Sequence, residues 1–424
     1  MGAPDTGLKG NLLLVLIVAG AVAGGLCGWF LPDLARSAGF LGEIFLTLLK
    51  MLVVPLVVAS MITGVASLGD VRRLGRTGGI ALAYYAVTTA LALAVGIVVV
   101  SLLRPGEGME TALGGEIPES VRGKALVGVT DMIASLFTDN LVESAAKTEI
   151  LPLIVFSLAF GAVLTTLEEK GRPVLAFFEG VDAGIMKLVH LVMLTAPVGV
   201  FGLVAGRLGA AGGGEGFLQI LGGLAAYAAA VILGLVIHAG ITLPALLYFV
   251  ARRGPLRFAR GMGTALLTAF STASSAATLP LTLQAAEEKN GVDPRAAGFV
   301  LPLGATVNMD GTALYEAVAA IFIAQAYGID LSAGQTFVIF LTATLASIGA
   351  AGIPEAGTVT MVIVLNAVGL PLEGIGLILS VDWFLDRCRT TVNVWGDSVG
   401  AAVVERLAAR DLTGPSDSSP SPTG

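Results

Sequence analysis

Apolar, helix-length runs recur along the whole chain, near residues 11–31, 41–68, 78–103, 124–167, 174–207, 216–251, 295–326 and 373–409. A helix needs about 20 apolar residues to cross a bilayer. Backbone polar groups in lipid must be bonded internally, so segments of this kind span as helices. The pattern predicts an all-α polytopic membrane protein with eight transmembrane helices. The first run ends in Ala21, Val22 and Ala23, which resemble a signal-peptidase site, but it is long enough to span and is read as the first helix. Of 424 residues, 55% are hydrophobic and 13% charged, and the net charge of -7 forms no basic stripe suited to nucleic acid. Cys27 and Cys388 both lie in apolar runs, so no disulfide framework or metal cluster is expected.

Positive charge collects at Arg72, Arg73 and Arg76, at Lys170 and Arg172, at Arg252, Arg253, Arg257 and Arg260, and at Arg406 and Arg410. These clusters follow the even-numbered runs, which places both termini in the cytoplasm, with the protein in the cell (inner) membrane. Residues Arg104 to Pro118 then form an external loop, and the tail from Thr413 has no apolar content and is expected to be disordered.

Two stretches differ from ordinary surface loops: TAFSTASSAATLPLT (Thr268 to Thr282) and LASIGAAGIPEAGTVTM (Leu345 to Met361). Each is a run of small residues at or near a proline, between apolar arms too short to span separately. A re-entrant hairpin fits, because an unwound tip is tolerated at membrane depth where it faces protein or a water-filled cavity. A packing seam of small residues between ordinary helices is the alternative. The first stretch is followed by a span interrupted at LPLGATVNMDGT (Leu301 to Thr312), the second by a polar helix. Hairpin then polar helix, twice over, suggests an inverted repeat, and transporters build their sites where such halves meet.

The polar helix is VDWFLDRCRTTVNVWGDSVG, Val381 to Gly400. Asp382, Asp386, Arg389 with Thr390, Asn393 and Asp397 recur at spacings of three or four and share one helical face, with Arg387 on a neighbouring face. Each unpaired mid-membrane charge costs roughly 2.5 to 3.5 kcal/mol, so these residues need partners. An ion-pair network that only joins helices would satisfy them. A zwitterionic ligand with a second acid would also do so: Arg389 gripping the side-chain carboxylate, Asp386 taking the ammonium, and Ser274 and Ser275 with nearby N–H groups meeting the α-carboxylate. Asn308, Asp310, Asn393 and Asp397 offer oxygen to a hard cation such as Na+.

SSAATLP, NMDGTALYEA, ASIGAAGIP and DRCRTTVNVWGDSVG, in that order, resemble the glutamate transporter family, the dicarboxylate/amino acid:cation symporters. The likeness is dense from about Thr264 to Leu407 and continuous from LLKMLVVPLVVASMITGVASL onward. It implies a homotrimer whose protomers pair a static scaffold with a transport domain that moves like an elevator. It divides the chain into a cytoplasmic segment 1–10, helices 1–6 over 11–251 with helices 3 and 6 in the transport domain, a transport core over 252–410 and a tail over 411–424. Within the core it implies hairpin 1 at about 256–289, helix 7 at about 295–326, hairpin 2 at about 333–369 and helix 8 at about 373–409. By position Arg389 resembles the carboxylate ligand and Asp386 the amine ligand, with Ser274, Ser275, Thr312, Ile353, Gly357, Thr390 and Asn393 as further substrate contacts. One sodium site would map to Gly304, Asn308, Asn393 and Asp397, a second to Thr306, Ser347, Ile348 and Ala350, and a third to Tyr85, Thr88, Thr89, Asn308 and Asp310.

Glu316 stands where the animal excitatory amino-acid transporters of the family carry a protonatable glutamate. Arg387 resembles their extra arginine on the last helix, which archaeal relatives carry instead at the position of Ala273. The resemblance therefore implies Na+-coupled uptake of glutamate or aspartate with H+ cotransport through Glu316, and leaves K+ counter-transport open. A permanent Glu316–Arg387 ion pair is the bland alternative. Two positions depart from the pattern: Ala276 replaces a serine common at the first tip, and Glu355 puts an acid in the second. A C4-dicarboxylate carrier would have no use for Asp386, and a neutral amino-acid carrier would leave Arg389 unpaired. An aspartyl protease using Asp310 and Asp386 would need two acids sharing a proton, which Arg389 opposes. A passive anion channel would not need a zwitterion-shaped site.

Overall fold

The structure is a computed structural model that describes residues 6–66, 75–109, 134, 136–147, 149–210, 215–349 and 356–408. Among these residues the regular structure is helical, with no strand. The first half supplies α1 (Thr6–Phe30), α2 (Pro32–Ala66), α3 (Gly75–Leu103), α4 (Leu141–Ala146), α5 (Ile150–Thr165), α6 (Arg172–Met193), α7 (Ala196–Ala210), α8 (Glu215–Ile237) and α9 (Leu243–Phe249). The second half supplies α10 (Pro255–Thr272), α11 (Ser275–Gln284), α12 (Pro294–Val307), α13 (Asp310–Ala326), α14 (Ala333–Gly349), α15 (Ala356–Val368) and α16 (Ile375–Leu407). Among the described residues Pro32–Ala66, Arg76–Leu103, Leu218–Phe249 and Pro294–Ala326 are long and apolar enough to cross a membrane. The bent pair Glu168–Met193 and Ala196–Gly206, angled at 57°, adds a fifth if it counts as one span. The protein is a multi-pass membrane protein.

Two of these spans contain irregularities, and each has a local cause. A π-helical turn, His238–Thr242, joins α8 to α9. Pro244 follows it and has no N–H to give to the preceding turn, which a widened turn accommodates. The span Pro294–Ala326 breaks at Asn308 and Met309, both outside helical geometry. Beyond the break α13 is apolar almost all round, and every residue but Gln325 is buried. A helix without a polar face belongs at a centre, and α3, α8, α14, α15 and α16 pack against it.

The remaining helices gather elsewhere. α2 packs against α5, α6 and α7, and α1 lies on α7. At the crossing of α2 and α7 a Cβ on Gly202 would come within 2.5 Å of Gly42 N, so only glycine permits this approach. The expected run 124–167 is not one helix: among the described residues α4 ends at Ala146 and α5 begins at Ile150. Asn140 caps α4 by accepting from Val142 N and Glu143 N, and Ser144 donates to Glu149 beyond its end. Such local bonds compete with helix continuation.

α10 ends at Ala273 in left-handed geometry (φ 50°), and Ser274 begins α11 by accepting from Ala277 N at 3.2 Å. At the other end of this helix pair, Arg253 joins three segments. It donates to the carbonyls of Asn290 and Gly291 and pairs with Glu405 at 2.6 Å. Glu405 in turn accepts from Asp293 N at 3.2 Å. Asp293 caps α12, and its hydrogen bond from Arg295 holds its carboxyl below the ordinary carboxylate range.

Candidate functional site

α16 places its polar residues where the spacing of three and four directs them. Asp382, Asp386, Arg389, Thr390, Asn393 and Asp397 are all buried, none more than 8% exposed. α16 runs against α12 and α13 along this stretch, and buried charge in such a place must be paired or hydrogen-bonded.

Arg389 is only partly satisfied. Its Nη2 donates to Asp386 Oδ1 at 2.8 Å and lies 3.4 Å from Asp382 Oδ1. Its guanidinium stacks 3.8 Å over the ring of Tyr315. Nε and Nη1 are buried and have no hydrogen-bond partner. Glycines make room on two sides: a Cβ on Gly311 would stand 2.6 Å from the Arg389 carbonyl oxygen, and one on Gly357 would run into Nη1. Nη1, one of the two unmet donors, thus lies beside the first turn of α15.

The tip between α10 and α11 is fastened to the same helix. Arg387 donates to the carbonyls of Phe270 at 3.0 Å and Ser271 at 2.6 Å. Ser274 and Ser275 are buried just beyond that attachment, and Thr390 is buried on α16. Arg387 therefore does not pair with Glu316, which lies elsewhere: Glu316 Oε1 accepts from Thr360 Oγ1, and Oε2 is buried without a partner. The permanent ion pair weighed from sequence is absent.

A second set of polar groups surrounds the break between α12 and α13. Asn308 Nδ2 donates to Asp397 Oδ1 at 3.0 Å, and Asn308 Oδ1 accepts from Thr88 Oγ1 at 3.3 Å. Asp310 Oδ1 accepts from Thr89 Oγ1 at 2.9 Å. Asn393 accepts from Gly311 N at 2.8 Å and donates to Thr312 Oγ1 at 3.2 Å. Gly304 faces Asp397 so closely that a Cβ would meet Oδ1. Four helices thus bring amide, hydroxyl and carboxylate oxygens into one buried cluster. Among the described residues no three of His, Cys, Asp and Glu are grouped to hold a metal. An oxygen-rich, thiolate-free set suits a hard cation.

Other expected positions make bonds outside this cluster. The Tyr85 hydroxyl donates to the Val300 carbonyl at 2.8 Å. Thr306 is exposed on α12 and bonds to Leu303 O, while Ser347 is buried on α14 and bonds to Thr344 O. Ile348 is helical in α14. Ala350, Ile353 and Glu355 lie outside the described residues. Asp310 and Asp386 have different partners and are not assembled as an acid pair.

Sequence reasoning missed several participants. His238 is fully buried in the π-helical turn, its Nε2 3.3 Å from Asp310 Oδ2. A histidine in the middle of an apolar run was the available signal. Tyr84 donates to the Gly396 carbonyl at 2.8 Å. Tyr315 and Thr360 gave no signal beyond helix packing, and Asp382 was on the ladder without an assigned part.

The model of the Sodium:dicarboxylate symporter family matches residues 13–407. Similar proteins include Excitatory amino acid transporter 3 of Homo sapiens, 41% identical over 464 residues that cover 96% of this chain and 87% of the relative. Excitatory amino acid transporter 1 of Ambystoma tigrinum is 40% identical over 466 residues, 96% of this chain and 84% of the relative. An excitatory amino acid transporter of Caenorhabditis elegans is 40% identical over 456 residues, 96% and 89%.

Proposed function

This chain belongs to the sodium:dicarboxylate symporter family, and on that premise we propose that it takes up acidic amino acids, glutamate and aspartate, coupled to Na+. It is a membrane transporter rather than an enzyme. The observation that carries the substrate class is the buried Arg389 with two donors unmet. A buried guanidinium in that condition favours a carboxylate, which can accept from it in bidentate fashion. In this reading Asp386 takes the ammonium group while remaining beside Arg389. Ser274, Ser275, Thr312, Ile353, Gly357, Thr390 and Asn393 complete the substrate site. Na+ is held around Asn308, Asp310, Asn393 and Asp397 with Thr88, Thr89, Tyr85 and Gly304, and in a second site near Thr306, Ser347, Ile348 and Ala350. Glu316 carries a proton, and Arg387 steadies the first hairpin tip.

The reading extends to architecture. α1, α2 and α5 to α7 form a scaffold, and α3 with α8 to α16 form the moving body of a homotrimer with eight spanning helices and cytoplasmic termini. The packing of α3 and α8 against α13 and α16, away from α2, supports that division.

Purified protein in liposomes tests the substrate and the coupling together. Uptake of aspartate should require an inward Na+ gradient and should exceed that of succinate and serine. Preference for succinate would replace the amino-acid reading with a dicarboxylate carrier. Flux indifferent to the Na+ gradient would indicate a pore.

A further inference from the structure

Glu316 and Gly357 belong to different helices, and one hydroxyl stands between them. Thr360 Oγ1 bonds to Glu316 Oε1 and lies 3.2 Å from the carbonyl of Gly357, one turn back on α15. Because Glu316 Oε2 has no partner, Thr360 is the sole hydrogen-bond partner of this carboxyl group among the described residues. Gly357 is also the residue packed against Arg389 Nη1.

A hydroxyl has one hydrogen to donate and lone pairs with which to accept. Opposite an ionised Glu316, the Thr360 hydrogen must go to the carboxylate, which has none of its own. Opposite a protonated Glu316, the acid can donate to Thr360 Oγ1, and the hydroxyl hydrogen is then available to the Gly357 carbonyl. The two protonation states therefore select different hydrogen-bond patterns at the start of α15, next to the guanidinium. Other ionisable groups on and around α13 are its own Asp310 and Tyr315, Arg389 with Asp382, Asp386 and Asp397 from α16, His238 from the π-helical turn, Tyr227 from α8 and Tyr84 and Tyr85 from α3. α14 and α15 carry no ionisable side chain.

We propose that Thr360 is a positioning residue that transmits the protonation of Glu316 to the first turn of α15, beside Arg389. The proposal rests on the reading of Glu316 as the proton-carrying group.

The test is aspartate uptake by the full chain in liposomes, with KM and maximal rate followed across pH for the wild type, Thr360→Val, Thr360→Ser and Glu316→Gln. Valine keeps the shape of threonine and removes the hydroxyl. Thr360→Val should retain Na+-driven uptake with its KM–pH curve displaced by about one pH unit towards higher pH, because a carboxylate needs the lost donor and an acid does not. Thr360→Ser should restore the wild-type curve, and Glu316→Gln should flatten it. If valine is not tolerated, Thr360→Ala should give the same displacement. A Thr360→Val curve that overlays the wild type while Glu316→Gln is flat overturns the relay and leaves the reading of Glu316 intact. A wild-type curve from Glu316→Gln removes both.

Discussion

At the scale of single residues, Arg389 is the group that constrains the site most. Its carboxylate neighbours satisfy one terminal nitrogen, and the rest of the guanidinium faces an aromatic ring and a glycine. Charge-assisted bonds contribute about 1.5 to 3 kcal/mol each, so Arg389→Cys, which removes two of them, should lower aspartate affinity by roughly a hundredfold to ten-thousandfold. The space released should admit neutral amino acids. Competition of serine and aspartate for uptake measures both effects, and unchanged aspartate affinity would remove Arg389 from the site. Gly357→Ala makes a narrower claim. Its methyl group would occupy the place of Nη1, so aspartate KM should rise by about tenfold, equivalent to about 1.4 kcal/mol. The Na+ concentration for half-maximal uptake should stay unchanged, because Gly357 touches none of the groups around Asn308.

At the scale of elements, helix ends and helix breaks set where those residues stand. Ala273 holds a left-handed conformation that costs an L-residue about 1 kcal/mol or more and costs glycine little. Ala273→Gly should therefore stabilise the protein by up to about 1 kcal/mol, read as a higher melting temperature in detergent. The small-residue run around Ser274 and the interruption at Asn308 were legible in the sequence because proline, serine and glycine act locally on the backbone. The ladder on α16 was legible for a similar reason: helical periodicity alone brings Asp386, Arg389, Asn393 and Asp397 onto one face. Partners contributed by other helices were not legible. Nothing near Thr360 in sequence indicates Glu316, and nothing near His238 indicates Asp310, since both contacts depend on tertiary packing. The division of residues 124–167 was hidden because apolar content there outweighs the few capping residues, such as Asn140, that stop the helix.

At the scale of the whole molecule, distant segments are fastened together near the base of α10. Arg253 and Glu405 bind the loop after α9, the loop before α12 and the end of α16. Arg253→Glu should lower the melting temperature, and adding Glu405→Arg should recover part of the loss. A partly exposed pair such as this contributes about 1 kcal/mol at most, so the recovery should be of that order. No recovery would mean that the backbone contacts of Arg253 matter more than its charge. The cluster around Asn308 has a related dependence on long-range closure. Asn308 bonds to Asp397, 89 residues later, and Gly311 bonds to Asn393, 82 residues later. A nascent polypeptide released before its last segment is translated would thus lack half of the cage. Protection from proteolysis by Na+ should then arise only after synthesis has passed Asp397, which makes ion response a marker of completed biogenesis.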